Sequence, residues 1–142
     1  MTVPVDALRA VARPSETPYH PLHMDSHNHD LAITLELHGP TAVVSVVGSV
    51  DTLTAEDLLA SFRSEIENGR TQIVGDFGGV DYTSSAGLRA ILAAAKEARQ
   101  SGGDLRLAAV SDRVYKVLDL SGFTSILRLY PDVPAAVASY AA

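Results

Sequence analysis

From Leu31 onward apolar and polar residues alternate. Ile33, Leu35 and Leu37 interleave with Thr34, Glu36 and His38, the period of a strand with one buried face. Gly39-Pro40 marks a turn, and residues 42–48 return as an apolar run that suits a more deeply buried strand, so the two predict an antiparallel hairpin. The period then becomes helical. Ala55, Leu58, Leu59, Phe62 and Ile66 share one face, with Thr54 the expected N-cap, Asp57 completing a weak capping box and Asn68-Gly69 the stop. Residues 71–77 predict a buried strand, and 78–83 a linker. A second helix follows with Leu88, Ile91, Leu92 and Ala95 inward, ending before Gly102-Gly103. Residues 105–110 read as a strand. A third helix from about Ser111 turns Val114, Val117 and Leu118 inward and stops near Gly122, 125–130 is a last strand, and Asp132 with Pro134 opens a final helix.

The order β-β-α-β-α-β-α-β-α is that of an α/β protein. Strands joined by helical crossovers run parallel, so the expected sheet is mixed and mostly parallel, of about five strands led by an N-terminal hairpin, with about four helices. Loops able to carry a site gather at the carboxyl ends of the parallel strands. There is no internal repeat.

Residues 1–30 lack a sustained period and hold four of the seven prolines and four of the five histidines. We read them as a flexible N-terminal tail with a short apolar patch at Val5, Leu8 and Val11, and 31–142 as the domain. His23, His27 and His29 with Asp25 and Asp30 have the chemistry of a divalent-metal site. No helix fixes their spacing, so a solvated tail is the preferred reading and no metal is expected.

Composition narrows the function classes. A chain of 142 residues is long enough for one domain that needs no staple. The absence of cysteine excludes disulfides, zinc-thiolate sites and thiol chemistry. Residues 41–50 form the longest strongly apolar uncharged stretch, about half a membrane span, and the N-terminus lacks a signal pattern; membrane insertion is not expected and a cytoplasmic location is. The formal net charge of -6 argues against a nucleic-acid partner. It is also uneven: residues 1–81 hold 12 acidic and 4 basic residues, and residues 82–142 hold 5 and 7. A partner of the first part should present positive charge.

The segment Asp81-Tyr82-Thr83-Ser84-Ser85-Ala86-Gly87-Leu88 places two hydroxyls at a strand-to-helix junction, where free N–H groups and the helix dipole favour a negative group. By base rate Ser84 or Ser85 is simply the N-cap. A nucleophile elbow is disfavoured, with no glycine two residues before the serine and no histidine downstream, and the Gly-Lys-Ser/Thr of a Walker loop is missing. A serine presented for modification remains. Tyr82 gates this site or packs at the sheet edge, the second reading being favoured. Arg89 touches a partner acid or is simply solvated, and Asp76 and Asp81 are contact residues or caps.

Four segments, Gly48-Ser49-Val50-Asp51, Thr54-Ala55-Glu56-Asp57-Leu58, 81–89 and Leu118-Asp119-Leu120-Ser121-Gly122-Phe123, resemble in order and spacing the landmarks of STAS domains, above all the free-standing bacterial anti-sigma factor antagonists. The resemblance covers about 31–137. It implies a single STAS-like domain and a stress-response or other transcription regulator working by partner switching. The unphosphorylated form would bind an anti-sigma factor that is also a serine kinase of the ATP-binding, histidine-kinase-like type, releasing a sigma factor. Phosphorylation would abolish that binding, and a PP2C-type phosphatase would reverse it. In the family's Asp-Ser-Ser-Gly motif Ser84 takes the place of the acid, Ser85 that of the phosphoacceptor, Ala86 that of the second serine and Gly87 that of the glycine. The acid is absent, which makes Ser84 a competing acceptor. The implied partner surface comprises Asp51, Tyr82, Thr83, Ser84, Ser85, Gly87 and Arg89. No cofactor is expected on this chain, ATP belonging to the kinase, and no catalysis. A STAS adaptor in a lipid-trafficking, transport or other non-transcriptional complex is the alternative.

Overall fold

A computed structural model describes residues 2–4 and 31–141. The expected order is found, with a short strand added at the front. Strands β1 (Thr2–Pro4), β2 (Leu31–His38) and β3 (Thr41–Val50) are followed by helix α1 (Thr54–Glu67), β4 (Gln72–Thr83), α2 (Ser85–Gln100), β5 (Asp104–Ala108), α3 (Asp112–Leu120), a 3-10 turn (Phe123–Ser125), β6 (Arg128–Tyr130) and α4 (Val133–Ala141). The strands lie in the sheet in chain order. β2 pairs antiparallel with both β1 and β3, whereas β3–β4, β4–β5 and β5–β6 are parallel. Of the N-terminal segment, Thr2–Pro4 pair with Thr34–Glu36; the rest of the expected tail, and the histidines weighed as metal ligands, lie outside the described residues.

Right-handed crossovers that always step in the same direction across a sheet leave their helices on one face. α1, α2 and α3 accordingly share one face, where Leu58, Phe62, Ile91, Ala95, Val114 and Leu118 meet Val44, Val46, Ile73, Phe77, Leu105 and Leu107. α4 covers the other face, seating Ala136 with Val133, Val137 and Tyr140 on Val43, Val74 and Ala108. β3 and β4 are therefore buried from both sides over their first halves, as continuous apolar runs require.

Three boundaries depart from the sequence expectation. β4 does not end at Phe77, and the supposed linker 78–83 is strand. A Cβ on Gly79 would lie 2.7 Å from Val47 Cγ2 and 3.1 Å from the Val46 carbonyl oxygen, so only glycine keeps β4 this close to β3. Register shifts between Ser45 and Val47 and between Gly48 and Ser49 take up the irregularity, and Val80 and Thr83 return to the buried side. β5 stops at Ala108 because Ala109 turns to φ 59°. β6 begins at Arg128 because Gly122, at φ 78°, starts the 3-10 turn that occupies 123–125.

Tyr140 ties α4 to the sheet. Its hydroxyl accepts from Ile73 N–H (3.2 Å) and has the carbonyls of Ile73 and Asp104, each at 2.7 Å, for its single proton. Burial, reinforced by the Asp104 carboxylate, raises this phenol above its ordinary value. Tyr140→Phe should cost about 1–3 kcal/mol, because it leaves buried backbone groups unpaired. The unfolded chain ionises this phenol first, so wild-type stability should fall as pH rises past about 10, and the phenylalanine variant should lose that contribution to the slope. Denaturant titrations at pH 7 and pH 10.5 measure both effects.

Candidate functional site

Two loops at the carboxyl ends of neighbouring strands are joined into one platform. The loop from β3 to α1 lies beside the start of α2, because Ser84 N–H donates to the Val50 carbonyl (2.7 Å) and Ser49 Oγ to Asp81 Oδ1 (2.9 Å). The topology thus brings Asp51 next to the two serines.

Asp51 is half-buried and holds its own loop. Its Oδ1 accepts from Leu53 N–H and Thr54 N–H, both at 2.9 Å, while Thr54 Oγ1 accepts from Asp51 N–H (2.9 Å) and has the Ser49 carbonyl (3.0 Å) for its proton. This corrects the expected cap. Leu53 occupies the N-cap position without a side-chain bond, Thr54 is the first helical residue, and the carboxylate two residues upstream of Leu53 satisfies the helix start as an Asx turn. Asp51→Ala should cost about 1–2 kcal/mol and free the loop, whereas Asp51→Asn, which retains an acceptor, should cost less. Urea midpoints of the two variants decide this.

At α2 the adjacent serines divide two roles. Ser84 is the N-cap: its backbone is extended (φ -87°, ψ 174°) and its Oγ accepts from Gly87 N–H at 3.1 Å. Ser85 is the first residue of the helix and is exposed, its hydroxyl without a hydrogen-bond partner among the described residues. Leu88 N–H bonds the Ser84 carbonyl, so the N–H groups of Ser85 and Ala86 have no acceptor within the helix. They and the helix dipole sit beside the Ser85 hydroxyl.

Thr83 and Gly87, expected at the partner surface, are buried. A Cβ on Gly87 would lie 2.4 Å from Thr83 Oγ1 and 2.7 Å from Val50 Cγ1, so this glycine lets the first turn of α2 lie against the end of β3. Both residues shape the platform from beneath. Tyr82 is 48% exposed, which overturns the preference for packing at the sheet edge and leaves its ring beside the platform. The physical reason is the register shift: Gly48 pairs with Val80 but Ser49 with Tyr82, so one extra residue on β4 breaks the strand alternation, and Tyr82, two residues after the buried Val80, faces out while Thr83 faces in. Arg89 is exposed on α2. Asp76 accepts from Ser45 Oγ and Gly78 N–H, and Asp81 from Ser49 Oγ, so each holds backbone or neighbouring strand in place.

One surface residue went unread in the sequence. Leu53, 65% exposed, adds an apolar contact point in the β3–α1 loop, and Val47 on β3 and Tyr82 on β4 are exposed as well. Its signal was a leucine inside an otherwise polar helix-start motif. Among the described residues no group of three or more His, Cys, Asp or Glu is placed to hold a metal ion, and no helix is long and apolar enough to cross a membrane. The platform therefore offers an accessible hydroxyl in a field that favours negative charge, rimmed by apolar side chains: an acceptor site and a contact surface.

Comparison with known proteins bears on the family and the fold. BtrV of Bordetella bronchiseptica, named as a candidate anti-sigma factor antagonist, is 34% identical over 110 residues, which cover 78% of this chain and 95% of that protein. A crystal structure of an anti-sigma factor antagonist from Mycobacterium paratuberculosis superposes with a TM-score of 0.72 at 23% identity, over 78% of this chain and 94% of the other. The Bacillus cell fate determinant SpoIIAA in its phosphorylated form superposes with a TM-score of 0.62 at 23% identity, over 77% and 99%. At these identities the two structures show a shared fold. The STAS domain pattern itself matches residues 32–136, a span that takes in β3 to β6, nearly all of β2, the helices α1 to α3 and the Ser84-Ser85 platform, and the chain belongs to the STAS domain family.

Proposed function

We propose that this protein is an anti-sigma factor antagonist that binds an anti-sigma factor through the platform of Leu53, Tyr82, Ser85 and Arg89, and that a phosphate on Ser85 releases it. The observation that carries this reading is the division of roles at α2: Ser84 Oγ is held in the cap while the Ser85 hydroxyl is exposed and unbonded. Relatives named as anti-sigma factor antagonists support it. The role is that of a binding protein, since no base hydrogen-bonds the Ser85 hydroxyl among the described residues and an external enzyme transfers the group to it. ATP and the catalytic groups belong to the partner kinase of the histidine-kinase-like ATP-binding type, and a PP2C-type phosphatase resets the serine. No cofactor, metal or nucleic acid takes part, and the protein acts in the cytoplasm.

The switch is local electrostatics. Phosphorylation adds about -1.5 to -2 charge, which the N-terminal end of α2 tolerates, so the fold is retained. Opposite Ser85 and the exposed Arg89 the partner presents an acid, and one unit of that like charge about 7 Å from the serine costs roughly 2 kcal/mol per phosphate charge at an effective dielectric near 20, about twice that for a dianion. Asp51, Glu56 and Asp57 lie on and after the β3–α1 loop, so the part of the partner that faces this loop is basic and association weakens as salt rises. Incubation with the kinase and ATP, read by intact mass, tests the assignment. Wild type and Ser84→Ala should each gain one phosphate and Ser85→Ala none. Phosphate on Ser85→Ala but not on Ser84→Ala would move the acceptor to Ser84.

A further inference from the structure

Far from Ser85 lies a second feature. Arg99 is 14 residues further along α2, about 20 Å at the helical rise. It borders an open groove of about 600 Å³ whose walls carry Arg99, Arg106 and Arg128 with Thr124 and Ser125, and Asp104 as its acid. Three guanidinium groups against one carboxylate leave a local excess of two positive charges in a chain whose net charge is -6. We propose that this groove is a binding site for a small phosphate, free or as the monoester of a small organic molecule.

The guanidinium groups are pre-positioned and keep donors in hand. Arg99 Nε donates to Asp104 Oδ1 (2.8 Å) and its Nη2 to the Ile126 carbonyl (2.8 Å). Arg106 Nε donates to Asp104 Oδ2 (3.1 Å), its Nη1 to Ser139 Oγ (2.8 Å), and its guanidinium lies 4.0 Å from the centre of the Tyr140 ring. Each has five N–H donors, so both retain several for a ligand while their side-chain entropy is already reduced. Asp104 is buried and fully engaged by these two arginines and by Leu105 N–H, so it neutralises only one of them. Arg128 is the odd charge. It pairs in register with Arg106 across β5 and β6, and has no ion-pair partner among the described residues. Like charges directly opposite on neighbouring strands repel, and a dianion between them removes that repulsion. Tyr130 on the same strand reports the field: its phenol is held below the ordinary value by a hydrogen bond with Ser139 and by the charges of Arg106 and Arg128. The groove is also larger than a phosphate ion, which leaves room for an organic substituent.

The test titrates the whole chain with sodium phosphate and, separately, with glycerol 3-phosphate, against sodium chloride at equal ionic strength, following backbone amide and arginine side-chain NMR signals. Saturable shifts at Arg99, Arg128 and residues 124–128 are expected. Arg128→Gln should weaken them about tenfold, the loss of one charge-assisted contact, with the amide spectrum elsewhere unchanged, and Ser85→Ala should titrate as wild type. Tighter binding of the ester than of inorganic phosphate identifies a small-molecule monoester as the ligand type, and the reverse order identifies free phosphate. Shifts that chloride reproduces, or an Arg128→Gln variant that titrates as wild type, overturn the proposal.

Discussion

Ser85→Glu is expected to weaken binding to the anti-sigma factor by about 10²-fold or more while leaving the stability of the domain within about 0.5 kcal/mol of wild type. Ser85 is exposed at the first position of α2, where an acidic side chain lies near unpaired N–H groups and the positive end of the helix dipole. The folded state therefore accepts the charge, and the whole penalty falls on the complex. Calorimetric titration with the partner and a denaturant curve of the free protein separate the two quantities. Ser84→Ala should show the opposite profile, losing about 1 kcal/mol of stability with the cap bond to Gly87 N–H and affecting partner affinity only through fraying of the first turn. If Ser85→Glu binds as wild type, this surface is not the interface. A large loss of stability would mean that the serine has a structural role that its exposure denies.

The second large effect is expected at Gly87. Gly87→Ala introduces a Cβ 2.4 Å from Thr83 Oγ1, 2.7 Å from Val50 Cγ1 and 3.2 Å from Val50 Cβ. Val50 is fully buried and Thr83 is 3% exposed, so neither swings into solvent, and the start of α2 must lift from β3. Overpacking of this kind costs about 2–3 kcal/mol. It should also stretch the bond from Ser84 N–H to the Val50 carbonyl that holds the two loops together, so partner binding should fall along with stability. Thr83→Ala removes the nearest clashing atom. In combination with Gly87→Ala it should recover part of the loss, and a double-mutant cycle in urea measures the coupling. Additive effects of the two changes would show that the clash lies elsewhere.

These two residues show what was readable in the chain and what was not. That the segment 81–88 carries the chemistry follows from its composition: two hydroxyls and a glycine after an apolar strand and before a helical period. Which serine caps α2 was open, because a cap is defined by one backbone conformation, and the extended Ser84 is set by its bond to Val50 on the neighbouring strand. Asp51 was read as a surface acid from the family resemblance, yet its carboxylate accepts backbone N–H groups of its own loop. Thr54 looked like the cap because it precedes the apolar period, and it lost that role to an acid three residues upstream. Strand β4 was cut short because Gly78-Gly79 reads locally as a break, whereas close contact with β3 makes glycine a requirement of strand. Tyr82 was misplaced for the same reason, since its outward direction depends on the extended β4.

Local patterning was enough for the order of the elements from β2 onward, the mixed sheet and the stretch that presents a serine at a helix start. Hydrophobic period and helix stops act over a few residues, so they are legible without a fold. The accessible hydroxyl at Ser85, the joining of two loops into one platform and the gathering of Arg99, Asp104, Arg106 and Arg128 arise only in the folded chain. Each depends on contacts between segments that are distant in sequence: β3 with the start of α2, and the end of α2 with β5 and β6. No local period encodes such contacts, and the sheet register supplies them.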